Sequence, residues 1–284
     1  MAEAVTPLVS AAWLAARAGD AGLVRIDLRL AADGGRAAYE AAHVPGAIFS
    51  DYAADGWRRK VGDVPGLLPT DEHLATLFAR LGIGGDRHIV LIPSGTSAND
   101  LAASARAYWT LKLTGHDRVS ILDGGTRGWI AGGNPVEQGA GPSGAGTPGS
   151  IGTKAQLRAD AAATLVAQRT GSHALIDARS ASYFAGLEKA SEAKAAGHIP
   201  GAISADYARL FDAATGRLKP VEELRALLAA VPEGPVINYC NTGHTAALNW
   251  FVLSEVFGRP GVVLYDGSMT DWTQDANRPV ARGA

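Results

Sequence analysis

A single cysteine stands where an apolar run meets a short polar loop. Cys240 is the only cysteine among 284 residues, and it directly follows the run Val236 to Tyr239. One cysteine can form no internal disulfide, and it cannot build a structural zinc site without several other ligands. Its thiol is therefore either inert packing or a nucleophile. Polar and small residues follow it: Asn241, Thr242, Gly243, His244 and Thr245.

The sequence around Cys240 predicts a parallel sheet covered by helices. Apolar runs at 174–176, 236–239 and 262–264 indicate buried strands, while 221–230 and 246–257 have helical spacing. Such alternation is typical of a mostly parallel sheet with helices on both faces. These sheets bind ligands beyond the carboxyl ends of their strands, where loops lead into helices. Cys240 occupies that kind of position.

The loop after Cys240 is suited to a sulfur anion. The first N–H groups of a helix lack internal acceptors and carry partial positive charge, which favours a thiolate at the loop. Gly243 allows a tight curve, and the Thr242 and Thr245 hydroxyls can donate hydrogen bonds. The alternative is a buried cysteine at a strand end, with Asn and Thr as a helix cap. His244 likewise fits either a substrate contact or a capping or surface role.

The chain contains one unit twice. Its two copies are separated by a stretch rich in Gly, Pro and Ser, which is typical of a linker. We predict a first domain at 1–137, a linker at 138–152 and a second domain at 153–284. Four blocks recur in the same order: Val24–Arg29 with Ala174–Arg179, His43–Ile48 with His198–Ile203, Asp51–Tyr52 with Asp206–Tyr207, and Leu122–Gly125 with Tyr265–Ser268.

Composition argues against several classes of partner. A net charge of -2 provides no basic field, so nucleic acid and anionic membrane surfaces are not expected to bind. No stretch approaches the roughly 18 apolar residues of a membrane span, and the N-terminus lacks a secretory signal pattern. We expect a cytoplasmic protein. No second histidine or carboxylate is spaced to make a metal site with Cys240, so neither metal nor cofactor is expected.

Together these blocks resemble the two-domain rhodaneses, which are thiosulfate and 3-mercaptopyruvate sulfurtransferases. The resemblance covers nearly the whole chain outside the linker. It implies an α/β fold with two tandem rhodanese-like domains, each a mostly parallel sheet flanked by helices. It also implies that Cys240 takes sulfur from a small-molecule donor as a persulfide and passes it to cyanide or a thiol acceptor. The substrate-binding residues would be Asn241, Thr242, Gly243, His244 and Thr245.

The resemblance also assigns roles outside the Cys240 loop. Asp177 and Arg179 match the family's Asp-x-Arg pair and would support the site structurally. In the first copy, the position that corresponds to Cys240 falls close to Pro93, and no cysteine stands there. The first domain would therefore be catalytically silent and would wall the active-site cleft.

Departures from the family pattern leave the donor open. Thiosulfate enzymes of the family carry Arg and Lys after the cysteine, whereas 3-mercaptopyruvate enzymes carry small neutral residues; this chain has Asn241 and Thr242. The family's substrate-binding arginine falls at about Tyr183. We expect thiosulfate to be the donor. The alternatives are 3-mercaptopyruvate, or a sulfur-carrier or interaction module without turnover.

Two further interpretations concern anions. A cysteine phosphatase or arsenate reductase would need an arginine six residues after the cysteine, and that position is Ala246, which disfavours this class. The basic run Trp57–Lys60 is either a solvated loop or an anion-attracting rim contributed by the first domain.

Overall fold

The computed structural model describes residues 5–146 and 151–283. The strands in these ranges are β1 (Leu8–Val9), β2 (Leu23–Arg29), β3 (Ile48–Asp51), β4 (Arg59–Val61), β5 (Val64–Leu67), β6 (His88–Ile92), β7 (Val119–Leu122), β8 (Arg158–Ala159), β9 (Ala174–Asp177), β10 (Ile203–Ser204), β11 (Phe211–Asp212), β12 (Arg217–Leu218), β13 (Val236–Tyr239) and β14 (Val262–Tyr265). The α-helices are α1 (Ala11–Ala15), α2 (Gly35–Ala41), α3 (Asp71–Arg80), α4 (Ala98–Leu113), α5 (Gly125–Ala131), α6 (Ala161–Thr170), α7 (Ala181–Ala185), α8 (Val221–Leu227), α9 (Ala246–Phe251) and α10 (Ser268–Trp272).

Each copy of the repeat forms a five-stranded sheet in which every paired strand is parallel. The strand order is β1-β7-β6-β2-β3 in the first sheet and, read from the matching edge, β8-β14-β13-β9-β10 in the second. The order is the same when each strand is replaced by its counterpart in the other copy. The predicted α/β class and the parallel sheets flanked by helices are thereby confirmed.

The central strands are buried on both faces, which explains their unbroken apolar sequences. Every residue of β6 and of β13 is buried. Because helices cover both faces of a parallel sheet, a strand in its centre needs no polar side. On one face of the second sheet, Ile237 and Tyr239 pack in a cluster with Trp272. This packing fixes the end of β13, and with it the position of the next residue.

The chain divides into two compact units, each of which contains one short segment from the other copy. The first unit takes in the described residues of 1–57, 69–153 and 211–218. The second takes in those of 58–68, 154–210 and 219–284. The antiparallel hairpin of β4 and β5 therefore belongs to the second unit, and that of β11 and β12 to the first. We call residues 58–68 the donated hairpin.

The predicted linker is held by backbone hydrogen bonds where the structure describes it. The Gly139 N–H donates to the Glu40 carbonyl at 2.8 Å, and the Gly146 N–H donates to the Ala79 carbonyl at 3.0 Å. Residues 147–150 lie outside the described ranges. Glycines can form such bonds without the side-chain packing that the linker lacks.

Two helices differ from their sequence prediction at the C-terminal end. Helix α8 ends at Leu227 instead of residue 230, because the backbone then tightens into turns in which the Ala229 and Val231 N–H groups bond to carbonyls three residues back. Helix α9 gives way to a π-helical turn at Val252–Val256, a widening that apolar spacing does not reveal. Across the described ranges, no helix combines the length and apolarity needed to span a membrane.

Candidate active site

The thiol of Cys240 lies at the carboxyl edge of the second sheet. Its residue follows β13 directly, and the last residue of that strand, Tyr239, pairs with Asp177 at the end of β9. Cys240 is free of disulfides and is only 2% exposed. Its carbonyl accepts a hydrogen bond from the Met269 N–H at 3.0 Å. The start of α10, which follows the neighbouring strand β14, therefore holds the backbone of Cys240 in place.

Ser268 is the main anchor of the Cys240 loop. Its hydroxyl oxygen accepts the N–H groups of Cys240 and Gly243, both at 3.0 Å, and its proton is donated to the Tyr265 carbonyl at 2.8 Å. The same oxygen lies 4.0 Å from the Cys240 Sγ. Ser268 adopts a φ of 52°, in the left-handed region that non-glycine residues rarely occupy. Backbone strain of this kind clusters at functional sites.

The loop after Cys240 presents backbone donors that the protein itself leaves open. Among the described residues, no acceptor is found for the N–H groups of Asn241, Thr242 and Thr245. All three side chains are partly exposed. Gly243, with a φ of 66°, makes the turn that a side chain would strain. His244 is buried, at 8% exposure. The five expected substrate-binding residues thus form one short loop beside the thiol.

Asp177 and Arg179 form a buried ion pair beneath that loop. The Arg179 Nη2 lies 2.5 Å from the Asp177 Oδ2, and its Nη1 donates to the Asn241 side-chain oxygen at 3.4 Å. Burial alone would lower the pKa of Arg179, but the hydrogen bond and charge of Asp177 outweigh it and raise that pKa. Arg179 therefore stays protonated and holds Asn241, while Asp177 compensates its charge.

Two residues near the thiol were not singled out from the sequence. Arg58, in the donated hairpin, donates from Nη1 to the Thr242 Oγ1 at 3.3 Å. Tyr207 carries a pKa raised above its ordinary value by burial and then by the charges of Asp206 and Cys240. The basic run at 57–60 includes Arg58 and was interpreted either as a solvated loop or as an anion-attracting rim, without choosing among its residues. The repeated Asp-Tyr block includes Tyr207 but assigned it no role.

The first unit contains the same loop framework without the thiol. Pro93 follows β6 as Cys240 follows β13, and its carbonyl accepts the Thr126 N–H at 2.9 Å, matching the bond from Met269 to Cys240. Gly125 stands where the second unit has Ser268 and has a similar φ of 56°. These contacts support the sequence alignment that placed Pro93 opposite Cys240.

A carboxylate of the first unit fills its own loop. Asp100 accepts the Ser94 N–H at 3.0 Å and the Gly95 N–H at 2.8 Å. Burial raises the pKa of Asp100 to about 7, although both hydrogen bonds favour the ionised form. The equivalent position in the second unit is Ala247, which has no polar side chain. The loop donors are thus internally satisfied in the unit that lacks the cysteine.

Replacing Ser268 is expected to disturb the loop in a way that separates hydrogen bonding from backbone strain. Ser268→Ala removes the acceptor of two loop amides, at a cost of about 1–3 kcal/mol for each buried group left unpaired. Ser268→Gly loses the same hydroxyl but relieves the left-handed strain by about 1 kcal/mol. We expect both variants to lose activity to a similar extent, and Ser268→Gly to be the more stable in urea unfolding. Full activity of Ser268→Ala would show that the Ser268 hydroxyl is not needed for catalysis.

Comparison with known proteins places this architecture in a family. The model of the rhodanese-like domain matches residues 10–132 and 160–275. The chain is 33% identical to the sulfur carrier protein TtuD of Thermus thermophilus, over 86% of this chain and 87% of that protein. It is 32% identical to a thiosulfate sulfurtransferase of Gallus gallus, over 93% and 92% respectively.

A solved structure agrees with these sequence relatives. The crystal structure of SseA from Escherichia coli, described among 3-mercaptopyruvate sulfotransferases, superposes with a TM-score of 0.78 at 29% identity, over 93% of this chain and 99% of that one. Two domain matches in one chain agree with the duplicated blocks and the two equivalent sheets. The protein belongs to the rhodanese-like family, with two such domains in tandem, and is related to its sulfurtransferases.

Proposed function

We propose that the protein transfers a sulfane sulfur from thiosulfate to cyanide or a thiol acceptor through a persulfide on Cys240. The observation that carries this proposal is the free thiol at the end of β13, beside a loop with three backbone N–H groups that have no acceptor among the described residues. A nucleophile next to open donors can take up a group and stabilise the charge that it brings.

In the first step, the Cys240 thiolate attacks the outer sulfur of thiosulfate. A bond forms between the Cys240 Sγ and that sulfur, while the sulfur–sulfur bond of the donor breaks and sulfite leaves with the electron pair. The product is a persulfide whose terminal sulfur carries the negative charge. The amides of Asn241, Thr242 and Thr245 are the donors available to that sulfur, and preorganised donors of this kind stabilise an anion in a protein site.

In the second step, the acceptor attacks the terminal sulfur of the persulfide. Cyanide gives thiocyanate and a thiol acceptor gives its own persulfide, and in both cases the Cys240 thiolate is restored. Sulfur is therefore transferred without net oxidation of the enzyme. The Asp177–Arg179 pair contributes by holding Asn241 in place, since Arg179 bonds to the Asn241 side chain.

A second candidate donor is 3-mercaptopyruvate. Asn241 and Thr242 give the loop the neutral character expected for such a donor, and the structural match to SseA favours the same chemistry. In that case the carbon–sulfur bond breaks and pyruvate leaves as its enolate, which then takes a proton. The neutral loop predicts a high KM for the doubly charged thiosulfate.

Steady-state assays with both donors test the proposal. We expect many turnovers per chain with thiosulfate and cyanide, measured as thiocyanate production. The KM for thiosulfate should be on the order of 1 mM or above. A higher kcat/KM with 3-mercaptopyruvate, measured as pyruvate, would assign the second donor. If each chain loads one sulfur and retains it with every acceptor, the protein is a carrier rather than an enzyme.

A further inference from the structure

We propose that Arg58, a residue of the donated hairpin, binds the anionic group of the sulfur donor. This inference rests on the proposed function and names the class of donor that the site accepts: a small molecule carrying a carboxylate or a sulfonate close to the transferred sulfur. The starting observation is that the Arg58 guanidinium lies beside the loop, 3.3 Å from the Thr242 Oγ1. Thr242 is two residues from the thiol.

The donated hairpin is fixed against the loop by contacts other than the Arg58 side chain. The Leu68 N–H donates at 2.8 Å to a carboxylate oxygen of Asp266, which is 1% exposed. The other oxygen of Asp266 binds Arg158 at 2.9 Å. Gly66 packs so closely that a Cβ there would overlap the Thr242 carbonyl oxygen. Arg59 pairs with Leu67 across the hairpin, so these contacts also restrain the backbone next to Arg58.

Arg58 supplies a charge that the loop sequence lacks. Asn241 and Thr242 are neutral, and Tyr183 stands at about the place where a substrate-binding arginine was expected. Arg179 also contacts the loop, through Asn241, but its Nε and Nη2 are bound to Asp177, which is completely buried. The charge of Arg179 is therefore offset by Asp177. Arg58, which is partly exposed, adds a second guanidinium beside the loop.

The direction of the hydrogen bond makes Thr242 part of the same anion contact. Arg58 donates to the Thr242 oxygen, so the hydroxyl proton of Thr242 can be donated to another acceptor. A guanidinium with an adjacent hydroxyl donor suits the planar oxygens of a carboxylate, and its charge also suits a sulfonate. Both candidate donors have such a group. For 3-mercaptopyruvate, Arg58 would supply the carboxylate contact that Tyr183 cannot make, since a phenol has no positive charge.

Alkylation of Cys240 tests this assignment without requiring turnover. Because the chain has a single cysteine, loss of its thiol by iodoacetate and by iodoacetamide reports on this site alone. The two reagents differ in charge, and the ratio of their rate constants measures attraction for an anion at the thiol. We expect Arg58→Gln to lower the iodoacetate-to-iodoacetamide ratio by about tenfold, since a nearby charge is lost. Lys60→Ala, which removes an exposed charge of the same hairpin, should leave the ratio within about twofold.

Kinetics provide the second readout. Arg58→Gln should raise the KM for thiosulfate and 3-mercaptopyruvate by about tenfold and change kcat by less than about threefold. The reason is that Arg58 would stabilise the bound donor and the transition state equally, so its loss weakens binding without slowing the chemical step. Arg58→Lys keeps the charge and should retain most of the alkylation ratio. An unchanged ratio in Arg58→Gln, or equal falls in both alkylation rates, would overturn the inference by showing a structural role. If neither donor is turned over while the ratio falls as expected, the proposed function fails and the anion site stands.

Discussion

Cys240→Ser is expected to lose sulfur transfer almost completely, with kcat falling by at least about 10⁴-fold. The reason is chemical, since a serine oxygen at the end of β13 is a far weaker nucleophile and forms no stable counterpart of a persulfide. The change is measured as thiocyanate production from thiosulfate and cyanide, with pyruvate production from 3-mercaptopyruvate as the parallel assay.

The control for Cys240→Ser is stability. Serine is close in size to cysteine, and the Ser268 hydroxyl already lies 4.0 Å from the Sγ, so the site tolerates a polar neighbour. The free energy of unfolding should therefore change by about 1 kcal/mol or less. A folded Cys240→Ser protein that turns over at the unchanged rate would remove the cysteine from the mechanism.

Gly66→Ala is expected to have the second largest effect, because it pushes the donated hairpin away from the Cys240 loop. Gly66 has a φ of 87°, and an added Cβ would overlap the carbonyl oxygen of Thr242. Neither side can move without displacing backbone. We expect kcat/KM to fall by roughly 10²-fold, since a shift of about 1 Å near a reacting group can have that effect.

Gly62→Ala is the matched control in the same hairpin. Gly62 also has a positive φ, 58°, but an added Cβ there meets nothing within 4 Å. Both variants suffer the backbone strain, of about 1–2 kcal/mol, and only Gly66→Ala clashes with the loop. Equal kcat/KM values for the two variants would show that the contact between hairpin and loop has no part in catalysis.

The fold could be predicted from sequence because its signals are repeated. The block at the end of β2 recurs at the end of β9, and the block at the end of β7 recurs at the end of β14. Because the order is the same, each copy supports the interpretation of the other. The bounds predicted for the buried strand β13 match those observed, since an apolar run that ends at a polar loop leaves little choice of where the strand ends. The parallel arrangement followed from the alternation of strands and helices.

The exchange of hairpins between the two units could not be predicted. No local pattern in residues 58–68 indicates which unit the hairpin joins, because that depends on contacts of Arg58 and Leu68 with residues far along the chain, Thr242 and Asp266. That the first copy contributes to the active site remains a prediction from the sequence. The donated hairpin comes from that copy and contacts Thr242 within the second unit.

The anchor at Ser268 was missed in the interpretation of the sequence. The Asp-Gly-Ser block was recognised as a repeat, but a serine with a φ of 52° leaves no compositional signal. Its counterpart, Gly125, shows the conformation in a form that sequence favours, because glycine adopts it readily. Comparing the two copies at this position would have pointed to strain at Ser268.

Mass spectrometry of the intact protein after incubation with thiosulfate tests the central claim most directly. A persulfide adds one sulfur atom, about 32 Da, to the chain, and fragmentation locates it. We predict this addition on Cys240, its removal by cyanide with release of thiocyanate, and its absence in Cys240→Ser. A chain that turns over thiosulfate while its mass never changes, or one that carries the added sulfur elsewhere, would contradict the account.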